Sequence, residues 1–351
     1  MSNEVFDRRY SLIIGRLGKK ILQTIPTSIA SENTLRVPRY LAATNIIKDS
    51  TGDVSQGIPV DYRTIPDSFI EIRDLNIRAK VLYKKSGVKG GNQSSYIEID
   101  NLSEDTLSRI KNDDLIFLKA GYKVDIQSSS VDYDDLPLVL SSTISDIETK
   151  RQRDGTRTTV LTCMDNILPK KNLKVSRSWP PNTKKRQVLN DLVEIAKSNF
   201  VPLGKIVEVD SFLSPLEEVY PTGYSISGNL FEEFEKLASS IDYRFYVSLS
   251  KIYFEPKSAI KTFEFVDVFP ENLKEPISFQ SDSSTKKSGS KNKKQGVRIR
   301  TFLNGRVRSS MAVNIQSYDP TYDGTYTIEA IQHDLDYEGN NWDTIIKANR
   351  V

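Results

Sequence analysis

The sequence predicts a mainly β chain with a small α+β part, and three observations carry that prediction. Short apolar runs alternate with polar residues at the two-residue period of half-buried strands. Tyrosine (16) and phenylalanine (14) are plentiful while methionine (3) is scarce, which favours pleated surfaces over helical bundles. Only two segments longer than a couple of turns carry the 3.6-residue period of an amphipathic helix. At 351 residues the chain also exceeds what one ordinary core encloses, so two or three domains are expected.

The elements follow in order. Residues 10–14 and 21–25 are short strand candidates on either side of a basic turn. In 68–76, Phe69, Glu71 and Arg73 alternate with Ile70, Ile72 and Asp74, and the pattern is expected to continue as one strand through 77–83. A glycine-rich turn at 87–93 precedes a strand at 96–99. Ser103 reads as a helix N-cap, with Glu104 and Asp105 in the first turn and Leu107 and Ile110 facing inward. Residues 115–122 (LIFLKAGY) form a strong buried strand. Residues 137–147 and 156–164 pair about the Asp154-Gly155 turn.

The character changes near Asn166. Trp179-Pro180-Pro181 leads stiffly into a helix at 187–200, with Val188, Leu192, Ile195 and Ala196 on one stripe. A second helix spans 229–241 under a cap from Ser227 or Asn229, and a hairpin follows at 243–255. Residues 281–295 contain no apolar residue and five lysines, Lys286, Lys287, Lys291, Lys293 and Lys294. That is the composition of a flexible basic loop, and trypsin is expected to cut it in the isolated chain. Strands resume at 297–302 and 308–316, and a final pair at 325–335 and 342–349 brackets the turn 337–341.

Composition also excludes function classes. With 49 Lys+Arg against 46 Asp+Glu the formal net charge is +3, so any binding of polyanions must be local. Cys163 is the only cysteine and His333 the only histidine. A disulfide framework within one chain, thiolate metal sites and the H-E-x-x-H zinc motif are therefore out. No stretch approaches the ~20 apolar residues of a membrane span. The first twelve residues carry no apolar core for a secretory signal. A reducing, cytoplasmic-type compartment is expected.

The candidate chemistry resolves to structural readings. His333 lies in a period-2 strand with no nucleophile or orienting acid at a telling spacing. Cys163 reads as a small buried hydrophobe. Asp113-Asp114 and Asp134-Asp135 raise the possibility of paired glycosidase carboxyls, but adjacent acids point different ways. Asp319 to Gly324 lacks the spacing and closing glutamate of a calcium loop. There is neither a phosphate-binding loop nor a dinucleotide fingerprint. No catalytic residue, cofactor site or metal site is predicted. The lysines of 281–295 are the best candidate partner-binding feature, although they lack the interleaved aromatics of single-strand binders.

Several segments together resemble one family. Residues 95–122 run from a strand through the Asn101-Leu102-Ser103 cap into a short helix and a strand ending Ala120-Gly121-Tyr122. Residues 230–256 place an amphipathic helix before two strands that end Phe254-Glu255-Pro256. The C-terminal pattern is Gly324-x-Tyr326-x-Ile328, His333, Gly339 and Trp342-x-Thr344. In this order they resemble the baseplate hub proteins of tailed bacteriophages, the contractile-tail hubs similar to late control protein D. No lysozyme or peptidase domain accompanies them.

The resemblance implies two tube-like β-barrel domains, 1–165 and 261–351, around a small helix-and-hairpin domain at 166–260. Strands from 166–180 are an alternative part of the second barrel. It further implies a non-enzymatic virion protein of the tail baseplate, assembled in the host cytoplasm. Its working form would be a homotrimeric ring joining a sixfold tail tube, or tube-initiator protein, to a threefold central spike. Baseplate wedge and tape-measure proteins would be further contacts, and no membrane is involved. Rival readings are a tail-associated cell-wall hydrolase using its acids and a nucleic-acid-binding β protein using the lysines of 281–295.

Overall fold

The computed structural model describes residues 7–15, 69–85, 94–122, 136–164, 173–199, 203–206, 214–248, 251–256, 264–280 and 296–350. The first part supplies β1 (Arg8–Gly15), β2 (Phe69–Ile72), β3 (Ile77–Lys84), β4 (Ser94–Asp100), the helix α1 (Glu104–Arg109), β5 (Leu115–Tyr122), β6 (Leu138–Arg151) and β7 (Arg157–Met164). The middle holds β8 (Lys174–Trp179), β9 (Thr183–Lys184), α2 (Lys185–Ser198), β10 (Leu203–Ile206), β11 (Val219–Tyr220), β12 (Tyr224–Asn229), α3 (Leu230–Ser240), β13 (Tyr243–Ser248) and β14 (Lys251–Pro256). The last part holds β15 (Phe265–Val268), β16 (Ser278–Gln280), β17 (Gly296–Phe302), β18 (Ala312–Ile315), β19 (Gly324–Asp336) and β20 (Trp342–Arg350). The protein is mainly β with a small helical part, as the period-2 pattern predicts.

Thirteen strands from the two ends of the chain join in one hydrogen-bonded sheet, in the order β16-β17-β20-β19-β3-β4-β7-β6-β5-β1-β2. β18 pairs with β19, and β15 lies parallel on β18. The seam between the two ends is β3 against β19, with Val81 opposite His333 and Ala79 opposite Leu335. β19 uses one edge twice: Gly324 to Thr327 pair with β18, and Ala330 to Asp336 pair with β3. Where it changes partner, its ladder with β20 shifts register between Ile328 and Ala330, leaving Glu329 as the extra residue of a bulge.

A single apolar core underlies this sheet, with Leu12, Val81, Ile97, Leu118, Leu161, Ile299, Ile328 and Ile346 all buried. Its alternation is the expected one. In β3 the residues Ile77, Ala79, Val81 and Tyr83 are inward and their neighbours are not. A second core belongs to residues 175–254. There α2 buries Val188, Leu189, Leu192 and Ala196, and α3 buries Leu230, Phe231, Phe234 and Leu237. Phe234 stacks on Phe245 with centroids 5.2 Å apart. Each such buried aromatic contributes about 1.5–3 kcal/mol of transfer free energy.

The helix caps are those read in the sequence. Ser103 accepts from the Thr106 amide at 3.1 Å, and Asn229 from the Phe231 amide at 2.9 Å. Ile195 is only half-buried, and Leu189 takes the place predicted for it on the apolar stripe.

Three boundaries differ from expectation. The strand predicted through 68–83 is broken. Asp74 adopts φ +60, so β2 turns away to pair with β1 while β3 joins β4 and β19. Trp179-Pro180-Pro181 does not enter a helix directly. Trp179 ends β8, Asn182 turns at φ +65, and β9 intervenes before α2 starts at Lys185. The strand predicted from Arg308 begins only at Ala312, because the Arg308 guanidinium is buried and donates to the carbonyls of Gly305, Val307 and Leu138. The candidate strand at 21–25, the turn at 87–93 and Asp134-Asp135 lie outside the described residues.

Candidate assembly surface

The five lysines put forward from the sequence, Lys286, Lys287, Lys291, Lys293 and Lys294, also lie outside the described residues. What the structure fixes is their point of origin. β16 and β17 are antiparallel neighbours with Gln280 opposite Gly296, so the segment 281–295 leaves and returns at adjacent positions on the sheet.

The described residues among those considered for chemistry are each held by the fold. His333 is buried on β19, and its Nδ1 is 3.0 Å from the Thr344 hydroxyl. Burial, assisted by the nearby Arg308 cation, lowers its pKa to about 3, so the ring is neutral. Cys163 is fully buried, with its thiol 3.8 Å from the Leu161 carbonyl. Asp113 turns the backbone at φ +69, and Asp114 accepts from the Lys111 amide at 2.7 Å. Asp319 accepts from the hydroxyl and amide of Thr321, and these bonds hold its pKa below the ordinary value. Asp323 accepts from the Ser317 amide at 2.7 Å. Both acids serve a turn, as predicted. Among the described residues no three His, Cys, Asp or Glu side chains gather as a metal site, and no helix is long and apolar enough to cross a membrane.

Two features remain that arrange groups for contact. The first is the join between the two cores. Lys85 Nζ and Glu255 Oε1 meet at 2.9 Å with side chains only 1% and 3% exposed. Burial pulls the Lys85 ammonium below its ordinary pKa, and Glu255 opposes the shift. Arg244 reaches Glu329 at the bulge of β19, at 2.8 Å. Tyr246 and Tyr253 stack beside Lys85 with centroids 5.1 Å apart, and burial raises both phenols. The middle unit is thus pinned by two ion pairs to the place where β19 changes partner.

The second is a surface. Among the described residues six large hydrophobic ones are exposed, and four of them, Phe265, Phe269, Phe279 and Tyr318, fall between residues 265 and 318. A groove of about 470 Å³ opens beside Tyr318, lined also by Pro270, Leu273, Ile277 and Tyr322. Phe279 packs on Tyr322 at 4.5 Å between ring centroids. Lys274 and Glu275 on its wall are held by the chain itself, Lys274 by buried Asp343 and Glu275 by Arg298. Sequence reading missed this surface, yet a signal exists. In residues 264–269 both period-2 faces carry apolar residues, so one of them must meet something other than the core.

No family model matches the sequence, and no curated protein does. Solved structures do match. The 43 kDa tail protein of prophage MuSo2 from Shewanella oneidensis superposes with a TM-score of 0.54 at 8% identity, over 80% of this chain and 94% of that one. The tail protein from Neisseria meningitidis MC58 does so with a TM-score of 0.50 at 8% identity, again over 80% and 94%. At this identity the likeness is one of fold, and the resemblance to tail proteins read from residues 95–122, 230–256 and 324–344 is borne out at that level: the chain has the fold of a prophage tail protein.

Proposed function

We propose that the chain is a structural protein of a phage tail, the hub of its baseplate, and that it works as a homotrimeric ring between the central spike and the tail tube. The observation that carries this reading is the fold, shared over 94% of the length of the prophage tail proteins. In this reading 1–165 and 261–351 are the two tube-like barrel units, and 166–260 is the small unit between them. A ring of three such chains holds six barrel units. Three of its six junctions lie within chains, at the β3·β19 seam. The other three fall between chains, and the ends of the sheet at β2 and β16, on which no further described strand pairs, are suited to them. That arrangement offers sixfold repetition to a tube and threefold repetition to a spike. The chain supplies contacts rather than catalysis, and its place is the virion tail.

Light scattering on the purified chain, alone and with spike protein, tests the proposal. A closed ring gives three times the subunit mass and keeps it at moderate salt, because a near-neutral chain does not assemble by long-range attraction. A strict monomer in the presence of spike and tube proteins would overturn it.

A further inference from the structure

The outer edge of β15 and the groove at its end carry more than apolar exposure. Within a strand the amide and carbonyl of one residue point to the same side. The carbonyls of Glu264 and Val268 accept from the amides of Ala312 and Gln316 at 2.8 and 2.9 Å. The backbone groups of Phe265 and Asp267 therefore point away from β18, and among the described residues no strand pairs with them. Phe265, Asp267 and Phe269 also share the exposed face, with Phe265 53% and Phe269 41% accessible.

Charge singles out the kind of partner. Residues 264–273 contain no Lys or Arg. The exposed carboxylates Glu264, Asp267, Glu271 and Asp319 form no ion pair among the described residues, although Asp267 accepts from Asn314 at 3.1 Å. Lys274 and Glu275, a few residues on, have partners of their own. Among the described residues the edge thus presents an unpaired ladder, two aromatic side chains and unneutralised acids in one strip.

We propose that this edge accepts an added strand from a partner protein, an extended segment whose face toward Phe265, Asp267 and Phe269 carries apolar residues and Lys or Arg in turn, at every second position of the segment. Its backbone pairs with Phe265 and Asp267. Its apolar side chains cover Phe265 and Phe269, and the next one enters the groove at Pro270 and Tyr318. Its basic side chains meet Asp267 and Glu271. A second copy pairing through this same edge is the poorer occupant, since a self-complementary contact would set the same acids against each other. The inference needs only the strand edge and its charges, and it stands whether or not the chain forms a ring.

Fluorescence anisotropy with the full chain tests it, using a labelled decapeptide of repeating Val-Ser-Lys-Ser, the Lys-Val peptide, beside a Glu-Val counterpart with Glu for each Lys and a Lys-Ser counterpart with Ser for each Val. Saturable binding of the Lys-Val peptide alone is expected. Asp267→Lys and Phe265→Ser should each weaken it by at least about tenfold. Hydrogen exchange at the Phe265 and Asp267 amides should slow in the complex. Both substitutions are on the surface, and unchanged melting shows that the fold survives; if either melts early, the peptide series and the exchange data decide. No binding of the Lys-Val peptide, or equal binding of the Lys-Ser peptide, would overturn the proposal. Self-association abolished by Asp267→Lys, without peptide binding, would assign the edge to a second copy and overturn it as well.

Discussion

Trp342 Nε1 donates a hydrogen bond to the Gly121 carbonyl, 3.2 Å away and 221 residues earlier in the chain. The contact is reciprocal in kind. The Tyr122 hydroxyl donates to the Trp342 carbonyl at 3.1 Å and accepts from the Leu303 amide at 3.3 Å. Gly121 has little room for a side chain, since a Cβ there would meet Leu136 and Pro137 at 3.3 Å. Two motifs picked out separately in the sequence, Ala120-Gly121-Tyr122 and Trp342-x-Thr344, are therefore one structural unit that ties the ends of the chain together.

Trp342→Phe removes the donor and leaves the Gly121 carbonyl without it in a buried place. A loss of about 1–3 kcal/mol is expected in urea denaturation, read from the midpoint at unchanged slope. Because the tie spans both ends of the sheet, near-ultraviolet and far-ultraviolet signals of the sheet should shift together.

Lys85→Met leaves Glu255 charged and buried without its cation. The expected cost is about 3–5 kcal/mol. Pairing it with Glu255→Leu should recover most of the loss, because an apolar pair of similar size avoids desolvating two charges. A double-mutant cycle in denaturant reads the coupling. Strictly additive losses would contradict the ion pair.

His333 makes stability depend on pH in a window of its own. Its pKa is about 3 in the folded chain against about 6.5 when unfolded. Between those values the unfolded chain binds a proton that the folded chain refuses, so stability falls as pH drops through the window. The slope approaches about 1.4 kcal/mol per pH unit. Since His333 is the only histidine, His333→Gln should flatten the profile between pH 6.5 and 5, above the range of most carboxylates. Denaturation midpoints across that range check this.

Gly223 and Gly155 both have positive φ, +84 and +92, but differ in space. A Cβ at Gly223 would lie 2.8 Å from the Trp179 carbonyl, while at Gly155 nothing lies within 4 Å. Gly155→Ala should cost about 1 kcal/mol from backbone strain alone. Gly223→Ala should cost clearly more, and thermal melting of the two variants side by side decides it.

Local chemistry was legible in the sequence wherever a residue acts on its near neighbours. The caps at Ser103 and Asn229, the Asp154-Gly155 turn and the stripe of α2 depend on contacts a few residues apart. The break at Asp74 was not legible, because alternation continues across it and only the different partners of β2 and β3 separate them. Arg308 read as the start of a strand, yet Leu138, which accepts from it, is 170 residues away. The exposed Phe265 of β15 and Phe269 just beyond it escaped notice because periodicity shows that two faces exist and not which of them the core takes. The Lys85–Glu255 pair has no signal at all, since nothing in either neighbourhood marks a lysine that will be buried.

The β3·β19 seam has a consequence for how the chain comes off the ribosome. Lys80 waits for Asp334, its partner in the ladder, so the first strands must persist with one edge unpaired until the last strands have been made. The entropy of closing so long a loop grows only slowly with length, about 0.6 kcal/mol per doubling, so the delay is a matter of time more than of stability. The middle unit has no such debt to the future. The pairings of β8 with β12 and of β13 with β14 close within residues 174–256, so it can fold while the flanking sheet is still incomplete. Synthesis therefore passes through an interval in which a finished small unit is tethered to an open sheet edge. Slowing translation after residue 256 should lengthen that interval and raise aggregation of the nascent chain, with little effect on the protein once complete.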